Sequence, residues 1–536
     1  MNFDLPPFDA NEPPAFMSAA ACAKWIAALP ANNPAQTHAD LLGQLARLTR
    51  TPLDPCERLA ILDLLWPPLQ AAQNHRAQSF AAKPVPLDAP AQTAFKAVDA
   101  LWQALCQCHL RAVADSLPTP AFLATALQRV LEILLLRQFD HARARQALMP
   151  AHWSRLHQLL ALAEQYKTAT VAIGDPARYG ATRTTPLASY AAAILLQAAG
   201  PYGLRLPQLG WTARWARRWG SKLSLLTAPP AELRAVPLCV DLASDQPAGY
   251  RPATGSGARF LDTAELRKSI LSRLTLLDQN TPPETLQLGN DCTQPECGDL
   301  LKKLYQAWCQ GGIPRRVERK PGVPGGKLIS QVASIFDELS GGMQLAAPST
   351  LTSTDIRKQR EAMAIFGSTR GLKVGVPQKA PSPHLESGWT IFDESVSGLR
   401  LERPLAQGGA QLTVGQLVAV RPVGMKSFIL ASVRWIMAGD ENKLQLGVTL
   451  LPAPASAIAI KAAGLNAAKE PMQPGFLLPA LAPVNEPASV ILPPGRFRAG
   501  RTVEFEDGVG HYQIRLTRLM ERGEDYDRAE FEQTLR

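Results

Sequence analysis

Three arginines in the second half of the chain have the residue type and spacing of a ligand-binding segment. Arg315, Arg316 and Arg319 follow a pair of glycines and a proline. A guanidinium presents a planar fork of donors to phosphate oxygens or to the Hoogsteen edge of a purine, and its flat face can stack on a base. Arg316 and Lys320 form a second cationic pair with the same spacing as Arg315 and Arg319, so the register of the segment stays open.

A second group of polar residues lies further along the chain, in the sequence Asp-Glu-Ser-Val-Ser-Gly. Asp393 offers a carboxylate acceptor, Ser395 offers an adaptable hydroxyl, and Gly398 lets backbone approach a ligand where a Cβ would clash. The same residue types are also typical of an ordinary turn between two strands.

Together the two groups resemble the nucleotide-binding signature of PilZ domains, an Arg-x-x-x-Arg segment followed by Asp-x-Ser-x-x-Gly at the start of a β-barrel. Arg315 and Arg319 match the first motif, and Asp393, Ser395 and Gly398 match the second. The resemblance implies binding of cyclic di-GMP, with arginines on its phosphates and guanines and a carboxylate accepting from guanine N1 and N2. The ligand-binding residues that it implies are Arg315, Arg316, Arg319, Asp393, Ser395 and Gly398.

The sequence after Gly398 has the alternation of a small antiparallel barrel. Apolar stretches separated by turn residues cover 399–401, 411–420, 428–436 and 444–450. The Ser-Val-Arg-Trp sequence at 432–435 and the Leu-Gly-Val sequence at 446–448 also resemble neighbouring strands of PilZ domains.

The spacing of the two motifs departs from the family pattern, because Arg319 and Asp393 are 74 positions apart. We therefore predict an insertion at about 330–387, which begins with a short helix at 331–339. A long surface insertion adds little to the entropy of loop closure, so the barrel can tolerate it.

Length and composition predict a multidomain α+β protein. A chain of 536 residues exceeds what one hydrophobic core supports. We predict an N-terminal all-α helical bundle over 1–230 and a connecting strand and helix segment over 231–312. A PilZ-like antiparallel β-barrel follows over 313–452, and a further small β unit with a charged terminal helix follows over 453–536. In that last unit, 453–487 reads as an Ala- and Pro-rich connection, and 522–535 as the helix.

Charge, hydropathy and cysteine content place the chain among cytoplasmic proteins. The net charge of +10 weakly favours anionic partners. Neither a secretory signal nor an apolar stretch of about 20 residues is present. Eight scattered cysteines predict reduced thiols, and Cys292 with Cys297 lacks the second pair that a zinc site needs. We expect no metal and no cofactor.

A tryptophan-rich helix near Pro207 has two interpretations. Trp211, Trp215 and Trp219 recur at steps of four and so share one helix face, with arginines at 214, 217 and 218 between them. The tryptophans belong either to the core or to a docking face for a partner or an anionic surface.

No catalytic signature stands out. Pro321 and Leu328 occupy positions where a phosphate-binding loop requires glycine and a hydroxyl, and nothing resembles a cyclic di-GMP cyclase or phosphodiesterase. We therefore predict a non-enzymatic cytoplasmic effector. It would transmit cyclic di-GMP binding to an unidentified protein of a motility, pilus or polysaccharide machine, without nucleic acid.

Two alternatives remain from the sequence. The first is a structural adaptor with a degenerate PilZ-like barrel that no longer binds nucleotide. The second is nucleic-acid binding through the basic residues Arg357, Lys358 and Arg360.

Overall fold

The computed structural model describes most of the chain, in ranges separated by short gaps and one long one. The ranges are 3–9, 11–30, 32–116, 120–174, 183–230, 236–250, 254–311, 320–341, 385–395, 397–439, 442–452, 454–463, 471–482, 485–507 and 510–533. The chain divides into two compact units, Met1–Arg316 with Met437–Glu441, and Val317–Ile436 with Asn442–Arg536.

Helices of the first unit begin where the sequence offers capping residues and prolines. The Ser18 hydroxyl accepts a hydrogen bond from the Ala21 amide, and Thr185 accepts one from Ala188, which satisfies donors that a helix start leaves open. These helices span Ala19–Ala27 (α1), Pro34–Arg50 (α2), Pro55–Ala77 (α3), Ala89–Ser116 (α4), Pro120–Arg143 (α5), Pro150–Gln165 (α6), Pro186–Ala198 (α7), Leu206–Trp219 (α8), Ala264–Asp278 (α9) and Glu296–Cys309 (α10). Among the described helices of the chain, none is both long and apolar enough to cross a membrane.

A large hydrophobic core holds the first unit together. It runs from Phe3 to Trp308 and includes Leu238 and Leu266 from the segment predicted to be a connector. The Trp308 indole also donates to the Leu195 carbonyl at 2.8 Å. The segment 231–312 therefore packs as part of the helical unit. The short strands of the first unit span Ile173–Gly174 (β1), Arg183–Thr184 (β2), Ser224–Leu226 (β3), Cys239–Asp241 (β4) and Ala258–Asp262 (β5), with β5 between β3 and β4.

The three tryptophans of α8 are core residues. Trp215 and Trp219 are fully buried and Trp211 is nearly so. The loop before α10 covers this face: the Trp215 indole donates to the Leu288 carbonyl at 2.8 Å, and Asp291 accepts from Trp211 at 3.0 Å. The docking-face interpretation is therefore wrong for these side chains, because another part of the same chain already occupies the face.

The prediction of reduced cysteines is wrong at one place. Cys292 and Cys297 form a disulfide, because the turn before α10 brings their Cα atoms within 5.6 Å of each other. Burial raises the pKa of the Cys106 and Cys108 thiols to about 11. These two thiols therefore stay protonated and unreactive at neutral pH.

The second unit begins with a closed barrel that contains the predicted PilZ-like segment. Its strands span Lys320–Pro321 (β6), Pro324–Ile329 (β7), Leu385–Ser395 (β8), Gly398–Pro404 (β9), Leu417–Pro422 (β10), Ile429–Ala438 (β11) and Lys443–Leu450 (β12). The sheet order is β6-β8-β7-β10-β11-β12-β9, and pairing of β8 with β9 closes the ring. Most of the predicted insertion, 342–384, lies outside the described residues. The expected helix at its start is present as Val332–Leu339 (α11).

A second closed barrel follows, with strands Ser456–Ala462 (β13), Gln473–Leu478 (β14), Ser489–Leu492 (β15), Thr502–Glu506 (β16), His511–Arg522 (β17) and Asp527–Gln533 (β18). Their order is β13-β14-β15-β18-β17-β16. Two expectations are therefore wrong. The connection predicted over 453–487 contains β13 and β14, and the predicted terminal helix is strand β18. Asp527, Arg528 and Ala529 of β18 are buried, so barrel closure overrides the local helical pattern.

The two barrels of the second unit share polar contacts at the hairpin between β17 and β18. The Glu521 carboxylate accepts from the Tyr526 hydroxyl at 2.8 Å and pairs with Arg434 at 3.0 Å. The Leu417 amide donates to Asp525 at 2.8 Å. Burial raises the pKa of the Asp525 carboxyl to about 6, although the bond from Leu417 opposes the shift.

Candidate ligand-binding site

Asp393, Ser395 and Gly398 lie together on the hairpin that joins β8 to β9. The Ser395 hydroxyl donates to the Gly398 carbonyl at 3.1 Å, which tightens the turn. A Cβ at position 398 would come within 2.6 Å of the Val448 carbonyl oxygen on the neighbouring strand. Glycine is therefore required here by strand packing, whereas the sequence suggested the approach of a ligand as the reason.

The barrel brings the second motif next to the chain that follows the arginines. In the register of β6 with β8, Lys320 lies opposite Glu394 and Pro321 lies opposite Asp393. The Gly322 amide extends this contact by donating to the Phe392 carbonyl at 3.1 Å. Lys320 directly follows Arg319 in the sequence, so the strand that begins after the arginines lies beside the second motif. Arg315, Arg316 and Arg319 themselves lie outside the described residues.

The outer face of the barrel beside Asp393 carries an aromatic residue and an arginine in contact. A β-bulge between Ile391 and Asp393 leaves Phe392 without an opposite residue on β9, and Phe392 is 52% exposed. Asp393 lies opposite Arg400 in the register of β8 with β9. The Arg400 guanidinium carbon is 4.3 Å from the centre of the Phe392 ring, within the range of a cation–π contact.

The same face continues across the next two strands. Arg400 lies opposite Gly447 on β12, and a Cβ at position 447 would overlap the indole of Trp435 on β11. The Val-Arg-Trp and Gly-Val sequences are thus on adjacent strands, as their resemblance to PilZ strands implied. Asp393, Arg400, Gly447 and Trp435 form a row across four strands, which we call the outer row.

Sequence reasoning missed Phe392 and Arg400. Arg400 could have been found, because it lies two positions after Gly398 and strand alternation places such a residue on the same face as the start of the strand. Phe392 could not have been found by alternation, because the bulge shifts the register beside it. The described residues contain no group of three or more histidine, cysteine or carboxylate side chains arranged to hold a metal ion.

Comparisons with known proteins match both ends of the chain. Residues 20–231 match the family model of the N-terminal domain of the cyclic-di-GMP receptor FimW, and residues 458–534 match that of the FimW C-terminal β-barrel domain. Over 534 residues the chain is 24% identical to the cyclic-di-GMP receptor FimW of Pseudomonas aeruginosa, covering 90% of this chain and 85% of that protein. No solved structure matches the chain. The barrel that carries the outer row lies between the two matched segments.

Proposed function

We propose that this chain is a cyclic di-GMP receptor whose ligand binds on the outside of the first barrel. Arg315, Arg316 and Arg319 contact phosphates and guanines of one or two ligand molecules. Asp393 and Ser395 present polar atoms from the adjacent hairpin, and Gly398 allows that hairpin to pack. The chain acts as a non-enzymatic effector in the cytoplasm.

The observation that carries this proposal is the pairing of β6 with β8. It fixes Pro321 opposite Asp393, so the residue after Arg319 begins a strand beside the second motif. A ligand with both phosphates and guanines needs cations and carboxylate acceptors within one molecular length. The pairing of β6 with β8 supports such proximity in spite of the 74 positions between Arg319 and Asp393.

The choice of ligand is supported by the comparisons. The relative that covers most of the chain is named as a cyclic-di-GMP receptor. The excess of ten positive charges also favours an anionic ligand. Bound ligand then alters how the chain contacts a protein of a motility, pilus or polysaccharide machine, provided that the partner distinguishes the free state from the bound one.

The test is calorimetric titration of the full chain with cyclic di-GMP, with GTP as a comparison ligand. The variant Arg315→Ala, Arg319→Ala removes two charges from the proposed site. A matched control, Arg357→Ala, Arg360→Ala, removes two charges at a spacing of three positions from the predicted insertion. We expect saturable binding by the wild type and the control, no binding by the first variant, and no binding of GTP.

Other outcomes would redirect the work. If the wild type gives no heat with cyclic di-GMP, the receptor proposal fails and the structural adaptor takes its place. If both double variants lose binding equally, the interaction depends on net charge, and steep loss of affinity with added salt would then favour nucleic acid as the ligand.

A further inference from the structure

Arg400 is held in one orientation on the outer face of the first barrel. One face of its guanidinium lies against the Phe392 ring, with 4.3 Å between the guanidinium carbon and the ring centre. Its edge donates to the Glu402 carboxylate at 2.9 Å and to the Gln445 side chain at 3.4 Å. The Nε atom is buried without a hydrogen-bond partner among the described residues. Yet 28% of the side chain remains exposed.

This geometry suits Arg400 to stacking better than to phosphate binding. The Glu402 carboxylate partly neutralises the guanidinium, and with Gln445 it engages the Nη2 donors, so an incoming phosphate would meet a weakened positive charge and compete for these hydrogens. The Phe392 ring covers the guanidinium from one side, and the 28% exposure of the side chain offers the other side to a planar partner. Arginine faces stack on nucleobases in this way. Because Phe392 and Glu402 fix the side chain beforehand, little rotamer entropy remains to be lost on binding.

We propose that the open face of Arg400 stacks on a guanine base of the bound dinucleotide, with Phe392 supporting it from below. This inference rests on the proposed function and adds a base-stacking residue to the site. Asp393 lies opposite Arg400 on the neighbouring strand, so its carboxylate is at the edge of a base that covers Arg400. A carboxylate there accepts from the N1 and N2 donors of guanine, whereas adenine presents an acceptor at N1. Stacking and edge recognition together select guanine.

Arg400 and Phe392 together form what we call the stacking platform. The test compares three changes at this platform with one matched control. Arg400→Ala removes both charge and plane, whereas Arg400→Lys keeps the charge and removes the plane. Phe392→Leu keeps an apolar support and removes the ring. The control is Arg421→Ala, which breaks a similar contact in the same barrel, 4.6 Å from the guanidinium carbon to the centre of the Phe428 ring.

Binding is measured by calorimetry with cyclic di-GMP and cyclic di-AMP, after thermal melting shows that each variant is folded. Since a stacked base contributes about 1–3 kcal/mol, we expect both Arg400 variants to bind cyclic di-GMP about 5- to 150-fold more weakly. Phe392→Leu should show a smaller loss, and Arg421→Ala should match the wild type. We expect the wild type to discriminate against cyclic di-AMP.

The outcomes separate this inference from the proposed function. Absence of cyclic di-GMP binding by the wild type refutes the proposed function and the platform with it. Wild-type binding with unchanged affinity in Arg400→Ala refutes the platform alone. Full retention of affinity by Arg400→Lys would show that charge is what matters and would also overturn stacking. If a variant is unfolded, the remaining two decide the question.

Discussion

Asp525 is a partly buried acidic side chain at the contact between the two barrels. Its carboxyl accepts from the Leu417 amide, and its pKa is raised to about 6 because burial disfavours the charged form. In the unfolded chain the same carboxyl titrates near its ordinary value of 3.8. Between these two values the folded state binds more protons than the unfolded state. Asp525 therefore lowers the stability of the protein as the pH rises through about 6.

The variant Asp525→Asn should remove this dependence while keeping an oxygen for the Leu417 amide. We expect wild type and variant to have similar free energies of unfolding at pH 4. The variant should gain up to about 3 kcal/mol over the wild type by pH 7.5. Urea unfolding at four pH values measures the difference in unfolding free energy between the variant and the wild type. The titration of other groups cancels in this difference, because both proteins contain them. A difference that stays constant with pH would contradict this account.

A linear motif predicts residues of the site directly, whereas the other residues of the site need further reasoning about strands. The resemblance to PilZ domains predicted the role of Asp393 and Ser395. The alternation of apolar and polar residues predicted the barrel around them. Arg400 belongs to the proposed site through its register with Asp393, and register depends on how strands pair across the sheet. A bulge at Phe392 is a local irregularity that no periodic pattern predicts.

Helix α8 is stabilised by a loop that comes about 70 residues later in the chain. Trp215 is fully buried and its indole donates to the Leu288 carbonyl, whereas Arg214 pairs with Asp291 of the same loop at 2.6 Å. The tryptophan thus has a structural role in the core. The arginine pair is largely exposed and adds little to stability.

We expect Trp215→Ala to destabilise the protein by about 3–5 kcal/mol, because it removes a large buried side chain and leaves the Leu288 carbonyl without its donor. Asp291→Asn removes the charge that pairs with Arg214 and keeps an oxygen for the Trp211 indole, so it should cost less than about 1 kcal/mol. Thermal melting of both variants measures the effect. A Trp215→Ala protein that melts like the wild type but loses a binding partner would restore the docking interpretation.

Most individual helices and strands could be predicted from the sequence. The exceptions have one physical cause, namely contacts with distant parts of the chain. The helices of the first unit have prolines and caps at their starts and an apolar stripe along their length. Strand β18 was predicted to be a helix because its charged residues read as solvated. In the barrel, however, Arg528 donates to Ser489 at 2.9 Å and Asp527 accepts from the Phe497 amide at 3.3 Å. Such partners come from distant strands, so local composition does not reveal them.

The chain as a whole contains two units with separate hydrophobic cores. The core from Phe3 to Trp308 belongs to the first unit. A core that both barrels share and a core inside the second barrel belong to the second unit. Separate cores unfold as separate cooperative transitions unless the contact between them is strong.

We therefore expect two transitions in scanning calorimetry, and Trp215→Ala should lower only the one that belongs to the helical unit. Cyclic di-GMP should raise the other transition, since a ligand at 100 times its Kd stabilises the folded state by about 2.7 kcal/mol. A ligand-induced rise in the helical transition alone would place the binding site elsewhere.

The predicted insertion lies in the connection between the paired strands β7 and β8. This position affects how distant relatives can be recognised. The chain leaves β7 at Ile329 and re-enters the barrel at Leu385, and these two residues lie opposite each other in the register. Any length of chain can join them without moving Asp393 away from Pro321. A search that fixes the number of residues between the arginine motif and the aspartate motif would reject this sequence. A search that instead counts strands, with arginines just before β6 and the aspartate at the end of β8, would retain it.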